Sequence, residues 1–388
     1  MCRPCGFRLC CIEKNELSIH HSLIEYHVIY SDENKEKDKL RRPLIICDGF
    51  DPGDRRSFEQ YRFGAGSLLE KEKDHRGLRQ LLNGDPSPWY SNQPSAKLID
   101  RLNQDGYDII IVNFLDGAGD VINNAGVNGL RGFLNDVING PDFRDNKTEE
   151  ITLIGPSMGG LITRHALTTM EKNNEEHFVK NWISFDSPQQ GANIPLSLQY
   201  AINFLSKINT GTIPSIVEAK ATFVAGKKSL TSLAAMQLLK QHYLTDAYTG
   251  KPTTFYTALY DELDDLGYPK TSRNFAISNG GKSKLYPNDA SKVLDFKTSP
   301  WTYVEGYGNH NSAGLYTIFE GSRQGLKNDE KKKCYNEVGY ENSPGGWNAS
   351  LYSLNCHPKN YREKKEHETK YTKSTFMTTA SAFGIDVN

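Results

Sequence analysis

The sequence of 388 residues predicts an α/β fold, in which a mainly parallel β-sheet is flanked by helices. Three observations predict this fold. Short apolar runs of the kind that is buried in a parallel sheet alternate with segments of helical spacing. A Gly-x-Ser-x-Gly pentapeptide, residues 155–159, stands between one of those runs and one of those helices. A long segment of purely helical pattern, residues 194–248, follows later in the chain.

The predicted elements follow one another as a sheet with crossover helices requires. The apolar runs assigned to strands are residues 25–30, 43–48, 107–114, 151–155 and 181–185. Apolar residues recur with helical spacing over residues 94–104, 121–138 and 160–169. Further strands are predicted at residues 253–260, 273–278 and 314–319. Because the first strands alternate with helices, we expect right-handed crossovers and a parallel sheet.

Changes in this pattern divide the chain into four predicted parts. These parts are a Cys-rich, disordered tail (1–22), the first part of the core with the Gly-x-Ser-x-Gly motif (23–193), a helical, lid-like insertion (194–250) and the remainder of the core with long polar loops (251–388). The insertion has two interpretations. It is either a lid over the functional site or a set of ordinary packing helices.

The composition and the minor motifs exclude several classes of partner. The formal net charge of −1 argues against a nucleic-acid partner. No apolar run reaches the length of a membrane-spanning helix, so we predict no transmembrane segment. Cys2-x-x-Cys5 resembles half of a zinc site, but no second half follows it. The Gly-Gly-Lys-Ser run at 280–283 lacks the first glycine of a phosphate-binding loop. We therefore predict neither a metal nor a cofactor.

Ser157 is the residue on which the functional prediction depends. It is the central residue of Gly-Pro-Ser-Met-Gly, between an apolar strand and a helix. This arrangement is the nucleophile elbow of α/β-hydrolases, where a sharp turn exposes a reactive serine at the carboxyl edge of the sheet. The glycines of the motif make room for that turn. The sequence therefore predicts that Ser157 is a catalytic nucleophile.

An acyl-transfer serine also needs donors for the oxyanion that forms during attack. The backbone N–H of Met158, directly after the nucleophile, is predicted to be one donor. The second donor is expected from the loop after the strand 43–48. Phe50 lies in that loop, where many lipases carry His-Gly-Phe, so its backbone N–H is the candidate. The alternative is an ordinary turn after a strand.

The acid of the triad has more than one candidate. In this fold the order along the chain is serine, then aspartate or glutamate, then histidine. Asp186 ends the strand 181–185, one strand beyond the serine, and is the main candidate. Its surroundings, Phe-Asp-Ser-Pro-Gln-Gln-Gly, also match a bacterial lipase segment that only shapes the wall of the pocket. Asp289 and Asp295 are the alternatives.

The base has the weakest sequence signal. His310 lies on a Gly-rich loop before the predicted strand 314–319 and is the candidate. His357 and His367 are alternatives in the same half of the chain. His165 lies eight residues beyond Ser157, about 12 Å along the following helix, so we expect it to pack and not to act as the base.

With these residues, the chain resembles a lipase or esterase of the α/β-hydrolase superfamily. More narrowly, it resembles large secreted hydrolase-like proteins of Bacteroidetes. The segments that carry the resemblance are residues 43–52, 116–125, 155–160, 185–195 and 374–383. The resemblance implies export, serine nucleophilic catalysis and a small-molecule or lipid ester as substrate. The chain itself shows no signal peptide.

Three functions follow from these expectations. The first is a serine hydrolase that cleaves carboxylic esters through an acyl-enzyme on Ser157. The second is a non-catalytic or truncated binding module, because the resemblance places the catalytic histidine in a stretch after residue 383, and the sequence ends at Asn388. In that case the elbow is a relic of the fold. The third is an acyltransferase, which differs from a hydrolase only in the acceptor of the acyl group.

Overall fold

A computed structural model describes most of the first 278 residues and short segments beyond them. The described residues are 2–5, 8–13, 16–34, 39–58, 77–85, 94–144, 149–192, 194, 199, 202–203, 206, 223–245, 252–278, 292–297, 331–335, 370–371 and 383. The chain divides into two compact units. The first comprises residues 1–189, 258–278 and 382–384, and the second comprises residues 190–257, 279–381 and 385–388.

The first unit is built on a nine-stranded sheet with the order β1-β2-β3-β4-β6-β5-β7-β8-β9. The strands are β1 (Cys2–Cys5), β2 (Arg8–Glu13), β3 (Glu16–His21), β4 (Ile24–Ile29), β5 (Leu44–Cys47), β6 (Ile109–Phe114), β7 (Ile151–Pro156), β8 (Val179–Phe185) and β9 (Arg273–Ile277). The five strands from β6 to β9 in this order run parallel, and β1–β4 extend the sheet as antiparallel strands. The predicted α/β architecture is confirmed.

Apolar runs explain the centre of the sheet. Every residue of β5 and of β6 is buried, as expected for strands that are covered on both faces. Ile109 and Ile111 of β6 pack with Leu44 and Ile46 of β5 in a cluster that also includes Ile99 of the neighbouring helix. Burial of each such side chain contributes on the order of 1.5–3 kcal/mol.

The N-terminal segment differs from its prediction. Residues 1–22 were expected to be a disordered tail, but the structure has the strands β1, β2 and β3 there. The edge of β4 presents a row of backbone N–H and C=O groups that another strand can pair with. β3 takes that edge over six residue pairs, from Glu16 opposite Ile29 to His21 opposite Ile24. Pairing with β4 therefore explains why residues 16–21 form a strand, which the sequence pattern alone did not predict.

Helices accompany the parallel strands. In chain order they are α1 (Leu78–Leu82), α2 (Leu98–Gln104), α3 (Val121–Ala125), α4 (Leu130–Gly132), a π-helical turn (Phe133–Ile138), α5 (Met158–Lys172), α6 (223–230), α7 (Leu233–Leu238) and α8 (Thr254–Leu266). Among the described residues no helix is long and apolar enough to span a membrane.

Two predicted elements are corrected. The helix expected over 121–138 is broken into α3, α4 and the π-helical turn. The helical path is interrupted between α3 and α4, where Gly126 has a ψ of −163° and Gly129 a ψ of −134°, and α4 continues directly into the π-helical turn. Gly129 also tolerates a close approach, since a Cβ there would lie 1.9 Å from the Asn124 carbonyl oxygen. The strand expected at 253–260 is part of the helix α8, whose Leu259, Tyr260 and Leu263 are buried with helical spacing. The strand expected at 273–278 is confirmed as β9.

The second unit contains α6, α7 and a small antiparallel sheet. That sheet has the order β11-β10-β12, with β10 (Lys292–Lys297), β11 (Lys331–Tyr335) and β12 (Lys370–Tyr371). The described part of the insertion 194–250 is mainly helical, and Ser232 caps α7 by accepting from the Ala235 N–H at 3.3 Å. Its role as a lid stays a prediction. The strand predicted at 314–319 lies outside the described residues.

Candidate active site

Ser157 occupies the turn between β7 and α5 and has a strained backbone. Its φ of 52° and ψ of −128° lie outside the regions that L-residues ordinarily adopt. Such strain persists only where the surrounding structure enforces it, and it concentrates at functional sites. A hydrogen bond to β8 stabilises the turn, since the Ser157 N–H donates to the Phe185 carbonyl oxygen at 2.9 Å. This turn, residues 155–159 (the elbow), lies where the sequence analysis predicts the nucleophile elbow, and its nucleophilic role stays a prediction.

The glycines around Ser157 are required by close packing. A Cβ at Gly155 would lie 2.5 Å from both the Gly159 carbonyl oxygen and the Thr163 hydroxyl. A Cβ at Gly159 would lie 2.4 Å from the Asp48 carbonyl oxygen, in the loop that follows β5. The elbow therefore packs directly against that loop. No larger residue fits at either position without moving backbone atoms.

The loop after β5, residues 48–51 (the oxyanion loop, after the role that the sequence predicts for it), lies against the serine. A Cβ at Gly49 would be 3.2 Å from the Ser157 Cβ and 3.7 Å from its Oγ. The Gly49 N–H is already used, because it donates to Asp48 Oδ1 at 2.7 Å. In the described part of the chain, no group accepts a hydrogen bond from the Phe50 N–H. Phe50, the predicted second donor, thus directly follows the glycine that lies against Ser157, and its N–H is uncommitted in the described structure.

Met158, the predicted first donor, is the first residue of α5 and its side chain is fully buried. The first N–H groups of a helix have no partner within the helix. The 15 residues of α5 also direct a positive dipole end toward the turn. The Met158 N–H and the Phe50 N–H come from the two segments that meet at Ser157. Together they are a candidate pair of donors for an oxyanion.

Asp186 leaves β8 at the same level at which Ser157 leaves β7. Pro156 and Phe185, the residues that precede them, are paired in the parallel register. Asp186 also has a positive φ, 46°, and its N–H donates to the Ile277 carbonyl oxygen of β9 at 2.6 Å. The side chain is half-buried. Of the alternatives, Asp295 belongs to β10 in the second unit and Asp289 lies outside the described residues.

The base of the predicted triad lies outside the described residues, as do its alternatives. That applies to His310, His357 and His367. Within the part that the structure describes, no histidine hydrogen-bonds to Ser157. His165 instead bonds to Glu262 at 2.7 Å, in agreement with the packing role expected from its position on α5. The residue that would activate Ser157 therefore stays a prediction.

Two residues near the site were missed by the sequence analysis. Asp48 is buried directly after β5, and burial raises its pKa to about 6, although the Arg56 guanidinium opposes the shift. Arg56 Nη2 lies 3.4 Å from Asp48 Oδ2 and donates to the Phe50 carbonyl oxygen at 2.7 Å. The sequence signal that could have identified this pair is an aspartate, Asp48, directly after an apolar strand, with an arginine, Arg56, eight residues later.

A buried arginine anchors the helix that carries the elbow. The Arg164 guanidinium, on α5, is almost completely buried. It donates to the carbonyl oxygens of Leu263 at 2.6 Å and Gly267 at 2.7 Å, at the C-terminal end of α8. It also donates to Gln189 Oε1 at 3.2 Å, which ties α5 to the segment after Asp186. Among the described residues, no group of His, Cys, Asp and Glu side chains could hold a metal ion.

Comparison with known proteins returns solved structures only. No family model matches the chain, and no curated protein matches it. The lipase BlEst2 of Bacillus licheniformis is similar in its propeptide form, with 14% identity and a TM-score of 0.34 over 67% of this chain and 40% of that one. Its mature form matches with 15% identity and a TM-score of 0.33, over 66% of this chain and 73% of that one. The chain thus spans less than half of the propeptide form.

A lipase-esterase related protein of Clostridium acetobutylicum is also similar, with 12% identity and a TM-score of 0.29, over 65% of this chain and 90% of that one. The class of the protein follows from its own structure. Three features define the α/β-hydrolase fold. The central strands run parallel in the order β6-β5-β7-β8-β9, and antiparallel strands extend the sheet beside them. A serine with a strained backbone lies between β7 and α5.

Proposed function

We propose that this protein is a serine hydrolase that cleaves carboxylic esters through an acyl-enzyme on Ser157. One observation carries the proposal. The strained turn at Ser157 lies against Gly49, and the backbone N–H groups that follow these two residues, those of Met158 and Phe50, have no acceptor in the described structure. Strain and uncommitted donors cost stability, and a protein keeps them where they serve a reaction.

The proposed reaction has two halves. The Ser157 Oγ attacks the ester carbonyl carbon while a histidine, proposed as His310, takes the hydroxyl proton. The carbonyl oxygen becomes an oxyanion and accepts from the Met158 and Phe50 N–H groups. The tetrahedral intermediate then expels the alcohol, which receives the proton from the histidine. A water molecule, activated by the same histidine, releases the carboxylic acid and restores Ser157.

The carboxylate in this proposal is Asp186. In the serine triad the carboxylate orients the histidine and stabilises its protonated form. Asp186 and Ser157 leave neighbouring parallel strands side by side, which supports the assignment. The substrate is proposed to be a small-molecule or lipid ester. The lid role of the insertion 194–250 and export of the chain stay predictions of the sequence.

The test is ester hydrolysis by the purified chain and by Ser157→Ala. Chromogenic p-nitrophenyl esters of increasing acyl length are used as substrates. We expect turnover by the wild type and a loss of at least about 10⁴-fold in kcat for Ser157→Ala, the size seen when a nucleophile of a triad is removed. Ser229→Ala is the control, because its hydroxyl donates to the Ala225 carbonyl oxygen of its own helix and to no other described residue.

Each contrary result has a distinct meaning. A folded wild type without turnover on any ester contradicts the proposal and supports a non-catalytic binding module. Unchanged turnover in Ser157→Ala contradicts the assignment of the nucleophile. An added alcohol that captures the acyl group in preference to water would identify an acyltransferase in place of a hydrolase.

A further inference from the structure

Arg56 contacts three parts of the oxyanion loop at once. Its Nη2 donates to the Phe50 carbonyl oxygen at 2.7 Å and lies 3.4 Å from Asp48 Oδ2. Its Nε lies 3.7 Å from Asp51 Oδ2, and its backbone N–H donates to the same oxygen at 2.8 Å. The side chain is 23% exposed, whereas those of Asp48 and Asp51 are each 6% exposed. A partly covered guanidinium thus binds both ends and the middle of a four-residue loop.

The remaining anchors of the loop are at its ends. The Asp48 N–H donates to the Val112 carbonyl oxygen at 2.7 Å, and the Asp51 N–H donates to the Gly117 carbonyl oxygen at 2.8 Å. The peptide units between these anchors have one further restraint on a carbonyl oxygen, the bond from Arg56 to Phe50. The Phe50 N–H belongs to the planar peptide unit between Gly49 and Phe50. Arg56 holds the groups on both sides of this unit, since it pairs with Asp48, which accepts from the Gly49 N–H, and donates to the Phe50 carbonyl oxygen. With both neighbouring peptide units held, the N–H can turn only by paired rotation about ψ of Gly49 and φ of Phe50. The direction of that N–H therefore depends on Arg56.

We propose that Arg56 is a positioning residue for the oxyanion hole, which holds the Phe50 N–H toward the carbonyl oxygen of the substrate. The inference rests on the proposed ester hydrolysis at Ser157. Arginine suits this role because its planar fork of donors can serve a carbonyl oxygen and two carboxylates together, whereas lysine offers a single point charge. Among the described residues, no hydrogen bond or ion pair joins Arg56 to Ser157, so the proposed effect of Arg56 passes through Phe50.

The test compares Arg56→Ala, Arg56→Lys and the matched control Arg55→Ala. We expect kcat of Arg56→Ala to fall about 10- to 1000-fold, the range for loss of an oxyanion donor, with KM changed less than about threefold. Arg56→Lys should recover part of kcat, and added guanidinium ion should raise kcat of Arg56→Ala. An alkylboronic acid, which forms a tetrahedral adduct on an active serine, should lose affinity in parallel with kcat. Arg55→Ala should match the wild type in each measurement.

A second readout separates this inference from the proposed function. Hydrogen exchange of the peptide that contains residues 48–51 should speed up in Arg56→Ala and stay unchanged in Arg55→Ala. Unchanged kcat and unchanged exchange in Arg56→Ala would overturn the positioning role, even with a fully active wild type. A loss of kcat that is matched by a fall in the melting temperature, without guanidinium rescue, would also overturn it. An inactive wild type would refute the proposed function, and faster exchange would then leave Arg56 as a loop anchor without a catalytic role.

Discussion

The two edges of the parallel sheet are built in opposite ways. At the carboxyl edge, Ser157 and Asp186 leave adjacent strands with positive φ, and the Phe50 N–H is uncommitted in the described structure. At the opposite edge, the Glu171 carboxylate accepts the N–H groups of Lys270 and Thr271 at 2.8 Å each, together with the Thr271 hydroxyl at 2.7 Å. One edge carries strain and free donors, while the other is saturated with hydrogen bonds.

The saturated edge also holds a cavity of about 510 Å³. Its lining includes five glutamates, at 149, 150, 171, 175 and 176. Most of its polar groups already have partners in the fold. His177, for example, accepts from the Val179 N–H at Nδ1, which leaves the proton on Nε2, 3.3 Å from Glu171 Oε1. Because most of its hydrogen-bond donors and acceptors already bond to other parts of the protein, this cavity is a poor candidate for an active site in spite of its size.

Uncommitted backbone donors and enforced strain, and not cavity volume, are therefore the features on which the proposed site at Ser157 rests. A site must hold groups that the substrate will satisfy, and the fold must tolerate them unsatisfied until then. We therefore expect substitutions that displace the turn at Ser157 or the loop beside it to change activity, and substitutions at the opposite edge to change stability alone.

The largest effect in this comparison is expected from Gly159→Ala. The added Cβ would lie 2.4 Å from the Asp48 carbonyl oxygen, so either the elbow or the oxyanion loop must move. We expect kcat/KM for ester hydrolysis to fall at least about 100-fold, and the free energy of unfolding to fall by about 1–3 kcal/mol. Gly126→Ala is the control, because a Cβ there meets ordinary contacts at 3.4 Å. Equal activity of the two variants would contradict the close fit of elbow and loop.

The next effect concerns Asp48 and pH. Burial raises the pKa of Asp48 to about 6, with Arg56 opposing the shift. The folded chain therefore keeps a proton that the unfolded chain loses near pH 4, so the stability of the wild type should fall between about pH 4 and pH 6. Asp48→Asn removes this pH-dependent loss of stability, because an amide side chain does not titrate in this range. We expect its advantage in free energy of unfolding to grow with pH and to approach about 3 kcal/mol at pH 7.

Denaturant unfolding of the wild type and Asp48→Asn, measured at pH 4 and at pH 7, checks this expectation. Asp265→Asn, on the exposed surface of α8, is the control and should show no such trend. A difference between Asp48→Asn and the wild type that is the same at both pH values would show that the Asp48 carboxyl does not titrate as its burial requires.

The smallest effect is expected at the opposite edge, from Thr271→Ala. The change removes the hydroxyl that donates to Glu171 and lies 3.0 Å from His177 Nε2, so we expect a loss of about 1 kcal/mol in stability. The kcat for ester hydrolysis should stay within about twofold of the wild type. Thermal unfolding and ester hydrolysis of the same preparation check both expectations. A loss of kcat without a loss of stability would break the distinction between the two edges.

The same edge gives a pH dependence of opposite sign. Burial lowers the pKa of His177, although Glu171 opposes the shift. Below its ordinary pKa of about 6.5 the unfolded chain takes up a proton that the folded chain resists, so stability should fall as the pH drops below that value. His177→Gln should weaken this dependence. Thermal unfolding between pH 5 and 7 measures it, and an unchanged slope in His177→Gln would contradict it.

The sequence predicted the parallel core and a sharp turn at Ser157 because both depend on local patterns. Apolar runs identify buried strands, and Gly-x-Ser-x-Gly defines its turn within five residues. The sequence did not predict the helix α8, whose first residues are rich in Thr, Phe and Tyr, which favour strands. It also did not predict β1–β3, which depend on pairing with the edge of β4. Arg56 was missed for the same reason, since its contacts with Asp48 and Phe50 exist only once the chain has folded. Pairings between distant segments are set by tertiary structure and leave little local signal.

The most direct test of the central claim is labelling of the purified chain with a fluorophosphonate probe, followed by peptide mapping of the adduct. The probe reacts quickly with a serine that a base already activates. We predict one adduct, on the peptide that contains Ser157, and none on Ser157→Ala. A folded chain that gives no adduct, or an adduct on another serine, would contradict the assignment of Ser157 as the nucleophile.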